Sequence, residues 1–153
     1  MNATSSRPSR PAPKRAVAAG FVLPLTTVDV VIFSVLDGQL RVLQVQRPHD
    51  AGEPFPGRWA LPGGFVDVDR DADLLACARR KLKYKTGLAS PYLEQLGSWG
   101  SRERDPRGWS ATHVYMALVP AAALKPAPGV HAASLRWAAV DGNGPERALA
   151  FDH

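Results

Sequence analysis

The chain has 153 residues, of which 45% are hydrophobic, and a formal net charge of +5. This length suits one domain with its own core and leaves no room for a second catalytic domain. Pro24, Asp29 and Asp37 interrupt the longest apolar runs, which stay short of the roughly 20 residues that a membrane-spanning helix needs. The single cysteine, Cys77, excludes an intrachain disulfide and a multi-cysteine zinc site. We therefore expect a soluble, cytoplasmic protein in which Cys77 is a small core residue.

The excess positive charge is concentrated at the start of the chain. Residues 1–18 contain four basic residues and no acid, so the remainder of the chain is nearly neutral. They are also rich in Pro, Ser and Ala, a composition that does not form a packed core. We predict a disordered basic arm over residues 1–18 and a folded domain over residues 19–153. A solvated tail is favoured over a DNA-binding arm, because the basic charge is confined to this segment.

The first part of the folded domain has the pattern of a β-hairpin. Residues 26–48 form two runs rich in β-branched side chains around Asp37-Gly38, a dipeptide that suits a type I′ turn. Residues 49–58 contain several Gly and Pro residues and predict a loop. A short apolar piece follows, in which Gly63 and Gly64 mark a place where the backbone comes close to another group.

A helix is predicted over residues 71–85. Asp71 and Asp73 suit its N-terminus, apolar residues recur at helical spacing, and Gly87 suits a left-handed terminator. Residues 92–100 and 109–119 alternate as strands do, a charged loop joins them, and a last short strand begins at Ser134. The order of elements predicts a mixed α+β fold.

The segment "GRWALPGGF", the helical "ARRKL" and the closing "KTGL" resemble the Nudix signature, Gly-x5-Glu-x7-Arg-Glu-apolar-x-Glu-Glu-x-Gly-apolar. The resemblance implies a mixed β-sheet sandwiched by helices, with one main signature helix. In that family, metal held by the helix faces a nucleoside diphosphate linked to another group, and water cleaves the diphosphate. Glutamates spaced three and four apart share one helix face and hold Mg²⁺ there.

This chain departs from the signature at its metal ligands. Lys81, Tyr84 and Lys85 stand where the three helical glutamates are expected. A two-residue insertion in residues 65–74 moves the place of the first glutamate to Ala72. No cofactor is expected unless the chain is an active hydrolase, which would need Mg²⁺. Weak candidate metal ligands are Asp67, Asp69 and Asp71, with Glu94 or Glu103 as additions, although loop aspartates before a helix are more commonly caps and solvated charges.

The two lysines offer a different chemistry from that of the missing glutamates. Lys81 and Lys85 are four residues apart, so they share the helix face on which the metal carboxylates would lie. Ammonium groups do not bind Mg²⁺, but they can face a diphosphate directly. An equally strong interpretation is that both lysines solvate the end of the helix, where cations suit its macrodipole.

A closer resemblance extends over most of the chain. The basic helix, "YLEQL" at residues 92–96, "RDPRGWS" at 104–110 and "LAFDH" at 149–153 resemble the NrtR-type regulators of NAD metabolism. The resemblance implies a domain that binds ADP-ribose or a similar nucleotide, usually without efficient cleavage. It also implies a homodimer and a C-terminal winged helix that binds DNA. This chain stops at "AFDH", so DNA is expected as a partner only if the full protein contains that missing domain.

Several basic and aromatic residues are candidates for ligand binding. Arg47, Arg102, Arg104 and Arg107 could bind a diphosphate, and Trp109 could stack on a base. Trp109 could equally be the first core residue of a strand. We expect His113 to be structural, and the remaining tryptophans to lie in the core: Trp59, Trp99 and Trp137.

The residues of this chain are compatible with three functions. The favoured one is an effector-sensing Nudix-like domain that binds ADP-ribose or a related nucleoside diphosphate. The alternative is a Mg²⁺-dependent hydrolase of ADP-ribose-type diphosphates, which lacks the helical carboxylates of the signature. A nucleic-acid binder acting through the basic arm is the third, and the near-neutral remainder of the chain counts against it.

Overall fold

A computed structural model describes residues 23–89, 92–120, 125, 127–129, 132–140 and 149–153. The predicted arm at residues 1–18 lies outside these ranges. Within them, the elements in chain order are β1 Leu25–Leu36, β2 Gln39–Gln46, β3 Trp59–Ala60, β4 Gly63–Phe65, α1 Leu74–Thr86, β5 Glu94–Ser101, β6 Ser110–Leu118 and β7 Ser134–Ala139.

The predicted hairpin is confirmed. Strands β1 and β2 pair in antiparallel register, from Phe33 opposite Val42 to Leu36 opposite Gln39. Asp37 and Gly38 between them have φ angles of 52° and 74°, as the two central residues of a type I′ turn require.

The strands form one mixed sheet, in agreement with the predicted α+β class. Its order is β3-β2-β1-β6-β5, with β4 paired to β1 and β7 paired to β2. Strand β6 runs parallel to β1, with Leu25 opposite Ser110 and Phe33 opposite Leu118. The first half of β1 also pairs with β4, which places Asp29 opposite Gly63. Strand β1 therefore brings β4 and β6 together around its first half.

Helix α1 begins three residues later than predicted. Its N-cap is Asp73, whose Oδ1 accepts a hydrogen bond of 2.7 Å from the Ala76 amide. Asp71 does not start the helix, because its carboxylate accepts hydrogen bonds from the Asp67 amide and the Arg80 guanidinium. The predicted terminator is confirmed, since Gly87 has a φ of 70° and its amide donates to the Lys83 carbonyl.

The core lies between α1 and the sheet. Cys77, Ala78 and Leu82 on one face of the helix are fully buried, and they pack with residues such as Val30 and Ile32 of β1. The predicted core position of Cys77 is confirmed. Lys81 and Lys85 lie beside this buried face, where they are half-buried and line the cleft described below. No helix among the described residues is long and apolar enough to cross a membrane.

The tryptophans do not all lie in the core. Trp137 is partly buried and packs against the main core cluster, as predicted. Trp59 is partly buried, with the Arg136 guanidinium 4.3 Å from its ring centroid. The prediction for Trp99 is wrong, because 49% of this residue is exposed. Strand β5 is at the edge of the sheet, so no further strand of the described sheet covers Trp99 from that side.

Candidate functional site

A cleft of about 650 Å³ lies beside the first half of β1 and the polar face of α1. It contains seven of the nine residues considered for ligand binding: Arg47, Gly63, Gly64, Lys81, Lys85, Arg104 and Arg107. Arg102 is exposed and does not line the cleft. Trp109 lies in a neighbouring depression that includes Leu23 and Gly108. Trp109 is 48% exposed, so it is not a core residue either.

Helix α1 contributes Lys81, Tyr84 and Lys85 to one wall of the cleft. A Cβ atom added to Gly64 would lie 3.1 Å from Lys81 Nζ, so the ammonium group lies against the backbone of β4. Burial lowers the pKa of Lys81. Burial, together with the charges of Lys81 and Arg47, lowers the pKa of Lys85 to about 8. This wall concentrates positive charge, and a bound anion would relieve the repulsion within it.

Arg47 leaves the end of β2 and is held in place at the cleft by the loop that follows. Its Nε donates to the Pro54 carbonyl at 2.8 Å, and its Nη2 lies 2.9 Å from Glu53 Oε2. Its guanidinium lies 5.0 Å from the ring centroid of Phe151. These contacts fix the position of the cation before any ligand binds.

Arg107 enters the cleft from the loop between β5 and β6. Its guanidinium pairs with Asp105 through hydrogen bonds of 3.0 and 2.8 Å. The same guanidinium lies 4.7 Å from the ring centroid of Phe65. The hydrogen bonds to Asp105 raise the pKa of Arg107, so its charge is permanent.

Arg104 is buried at the floor of the cleft, and each of its three guanidinium nitrogens contacts another side chain. Nε lies 3.1 Å from Asp152 Oδ2, and Nη1 donates to Ser110 Oγ at 3.1 Å. Nη2 lies 3.0 Å from Asp152 Oδ1 and 3.6 Å from Asp29 Oδ2. Arg104 therefore joins β1, β6 and the last residues of the described chain, which is an anchoring role.

Asp29 and His153 were missed as site residues by the sequence analysis. Asp29 Oδ2 accepts a hydrogen bond of 2.6 Å from Thr112 Oγ1 and lies 3.4 Å from His153 Nε2. His153 Nδ1 accepts a hydrogen bond of 3.0 Å from the Leu61 amide. A ring nitrogen that accepts carries no proton, so the Nε2–H faces the Asp29 carboxylate.

The Asp29 carboxylate is ionised. Burial by itself would raise its pKa, but His153, Thr112 and Arg104 together outweigh that effect and hold the pKa below its ordinary value. One signal in the sequence could have identified this residue, since Asp29 is the single charged residue in the apolar run at residues 28–36. A charge there needs partners or a function.

Phe151 is the third residue that the sequence analysis did not assign to the site. Its ring packs edge-on against Phe55, with centroids 5.0 Å apart, and it lines the cleft. The family resemblance at residues 149–153 indicated this segment, but nothing local in it indicates a position beside the cleft.

The residues around the cleft do not fit Mg²⁺. The acidic residues that line the cleft all pair with basic residues: Glu53 with Arg47, Asp105 with Arg107, and Asp29 with Arg104. The weak metal candidates Asp67, Asp69 and Asp71 do not line the cleft, and neither do Glu94 and Glu103.

The loop aspartates are engaged in local structure instead. The hydrogen bond from Arg80 holds the pKa of Asp71 well below its usual range. Asp67 Oδ1 accepts a hydrogen bond of 3.2 Å from the Asp69 amide. Across the ranges that the structure describes, no three His, Cys, Asp or Glu residues are grouped to hold a metal ion.

Comparisons with known proteins agree with this geometry. The family model described as the NUDIX domain matches residues 25–152. The chain is 48% identical over 130 residues to the ADPR responsive transcriptional repressor NtrR of Acinetobacter baylyi, covering 85% of this chain and 50% of that protein. It is 31% identical over 96 residues to the ADP-ribose pyrophosphatase of Methanocaldococcus jannaschii, covering 63% of this chain and 54% of that protein.

A solved structure is similar over most of both chains. It is the NUDIX domain of Shewanella oneidensis NrtR complexed with ADP ribose, with 40% identity and a TM-score of 0.76. The match covers 87% of this chain and 83% of that one. This chain spans about half the length of the curated relatives that it matches. From the family match, the fold and the remnant of the signature in α1, this chain belongs to the NUDIX domain family.

Proposed function

We propose that this chain binds ADP-ribose or a related nucleoside diphosphate, and that it is the effector-sensing part of an NrtR-like regulator. The observation that carries this proposal is the position of Lys81 and Lys85, which line the cleft where a hydrolase of the family needs glutamates. The names of both the repressor and the solved domain reported above contain ADP-ribose or its abbreviation ADPR.

The charges of the cleft support a ligand with a diphosphate. Lys81, Lys85, Arg47 and Arg107 converge on one space, and the first two are partly desolvated. Charge-assisted hydrogen bonds to phosphate oxygens are strong where water is partly excluded. The lysines supply this interaction directly, so binding requires no metal ion.

Calorimetric titration of ADP-ribose into the purified chain, with and without Mg²⁺, tests the proposal. We expect the same affinity under both conditions and recovery of intact ADP-ribose by chromatography afterwards. Absence of binding under both conditions would disprove the proposal. A charge-matched control is titration with ribose 5-phosphate, which lacks the diphosphate and the adenosine.

A hydrolase of ADP-ribose-type diphosphates is the second candidate, favoured by the similarity to the M. jannaschii pyrophosphatase. The arrangement of Asp71 counts against it, because Arg80 binds both of its carboxylate oxygens. The same experiment decides between the two functions. Release of AMP and ribose 5-phosphate only with Mg²⁺ would establish the hydrolase.

The same relatives support a proposal about the partners of the whole protein. We propose that it acts in the cytoplasm as a homodimer, and that DNA is its partner if it contains the winged helix of the regulators. Light scattering after size-exclusion chromatography tests the dimer, with a mass near the 16.5 kDa of one chain as the contradicting result.

A further inference from the structure

Two side chains of opposite charge, Asp29 and Lys81, lie against two consecutive glycines of strand β4. A Cβ atom on Gly63 would collide with Asp29 Oδ1, and one on Gly64 would lie 3.1 Å from Lys81 Nζ. The Cα atoms of neighbouring residues are about 3.8 Å apart. The carboxylate and the ammonium group therefore approach the same short piece of backbone, one residue apart, and both line the cleft.

The two oxygens of Asp29 have different surroundings. Oδ2 is next to Thr112, His153 and Arg104. Among the residues that the structure describes, no hydrogen-bond donor reaches Oδ1. Asp29 lines the cleft. Because Oδ1 has no partner among these residues and yet is not one of the fully buried atoms, it is accessible from the cleft. Oδ1 is thus an acceptor that remains to be satisfied from the cleft.

A carboxylate at this position selects for a particular chemical group. It repels phosphate oxygens, which Lys81 and Lys85 attract, and it accepts hydrogen bonds from hydroxyl groups. A ligand that satisfies both walls carries hydroxyl groups immediately beside a phosphate. A sugar attached to the diphosphate has this arrangement, whereas a diphosphate that ends in an alkyl group does not.

We propose that Asp29 determines specificity by accepting a hydrogen bond, through Oδ1, from a hydroxyl of the sugar attached to the ligand's diphosphate. Thr112 is a positioning residue in this arrangement, since its hydroxyl donates to Oδ2 and leaves Oδ1 for the cleft, and His153 Nε2 lies 3.4 Å from the same Oδ2. The inference rests on the proposed function and adds to it the class of group that the cleft recognises beyond the diphosphate.

Two ligands with the same charge test the proposal: ADP-ribose and the β-methyl ester of ADP, which lacks the second ribose. We expect the wild-type chain to bind ADP-ribose roughly tenfold to a hundredfold more tightly, as one hydrogen bond to a charged group allows. This comparison needs no variant. Equal affinities would overturn the proposal, and absence of binding by both ligands would instead contradict the proposed function.

Asp29→Asn identifies the residue responsible. Its affinity for ADP-ribose should fall about tenfold, while its affinity for the methyl ester stays the same or rises, because a negative charge near the phosphates is gone. Equal loss for both ligands would mean that Asp29 has only a structural role. The matched control is Asp37→Asn, which makes the same change in the hairpin turn, outside the cleft. If Asp29→Asn does not fold, the wild-type comparison decides.

Discussion

Lys85 combines burial with two neighbouring cations, and this combination makes it sensitive to charge. Lys81 and Arg47 both lower its pKa, after the larger effect of burial. Lys83 is in the same last turn but is exposed. Lys85 and Lys83 therefore provide a matched pair, because the side chain of Lys85 lines the cleft and that of Lys83 does not.

Lys85→Glu should weaken ADP-ribose binding by about tenfold or more, because it replaces a phosphate partner by a repelling charge. Lys83→Glu makes the same chemical change on the exposed side of the helix and should leave the affinity nearly unchanged. Calorimetric titration of both variants measures the difference. Unchanged affinity in Lys85→Glu would exclude a direct contact between this side chain and the diphosphate.

The affinity for ADP-ribose should also fall as the pH rises through about 8, where Lys85 loses its proton in the free chain. Lys85→Ala should remove most of this dependence. Folding stability should change in the opposite direction and rise with pH, because the pKa of Lys85 is lower in the folded chain than in the unfolded chain. Charged Lys85 lowers the free energy of unfolding fully below about pH 8, and this effect disappears as the pH approaches the unfolded pKa of 10.5. Titrations between pH 6.5 and 9.5 test the binding part.

Helix α1 sets the positions of both lysines, so its caps matter for the site. Asp73 alone provides the N-cap hydrogen bond among the described residues, and Gly87 provides the left-handed C-cap. The first turn contains no acid that could help. Stability at the start of this helix therefore depends on one side chain.

Asp73→Ala should lower the free energy of unfolding by about 1 kcal/mol, the usual effect of losing an N-cap. Urea denaturation followed by circular dichroism measures it. Asp69→Ala is the matched control, since Asp69 is exposed and contributes its amide rather than its carboxylate to the loop. A similar loss in both variants would show that charge in the loop, rather than the cap, is responsible.

The sequence was informative where structure depends on neighbouring residues. Asp37-Gly38 predicted the turn and Gly87 the helix terminator, because positive φ angles restrict the residues at those positions. Asp71 was a plausible cap by local rules, but Arg80 binds its carboxylate from nine residues away. The contacts of Asp29 with Thr112 and of His153 with Leu61 join residues 83 and 92 positions apart. No local pattern reveals such pairs, so the contacts at the floor of the cleft could not be found from the sequence, whereas the basic residues that line the cleft could.

One buried cation links three distant parts of the molecule at the floor of the cleft. Arg104 has a side chain that is only 3% exposed, and it contacts Asp29, Ser110 and Asp152. Removing one member of a buried ion pair leaves the other charge uncompensated, which costs more than the pair itself contributes.

Arg104→Met should therefore lower the free energy of unfolding at pH 7 by about 3–5 kcal/mol. The effect should shrink on acidification, because burial favours protonation of an Asp29 carboxylate that has lost Arg104, and protonation removes the uncompensated charge from the variant. Urea denaturation at pH 7 and pH 3.5 checks both statements. Arg102→Met, at an exposed position in the same loop, is the control.

The wide separation in sequence of the contacts around Asp29 also has a kinetic consequence. The floor of the cleft is complete only after β6 has paired with β1 and His153 has reached Leu61, and such long-range contacts are costly to close early in folding. We expect the contacts around Asp29 to be among the last to form during folding. Interactions absent from the folding transition state change the unfolding rate and leave the folding rate nearly unchanged. Saturating ADP-ribose should accordingly slow unfolding in stopped-flow experiments without accelerating refolding, so that the ligand extends the lifetime of the folded chain.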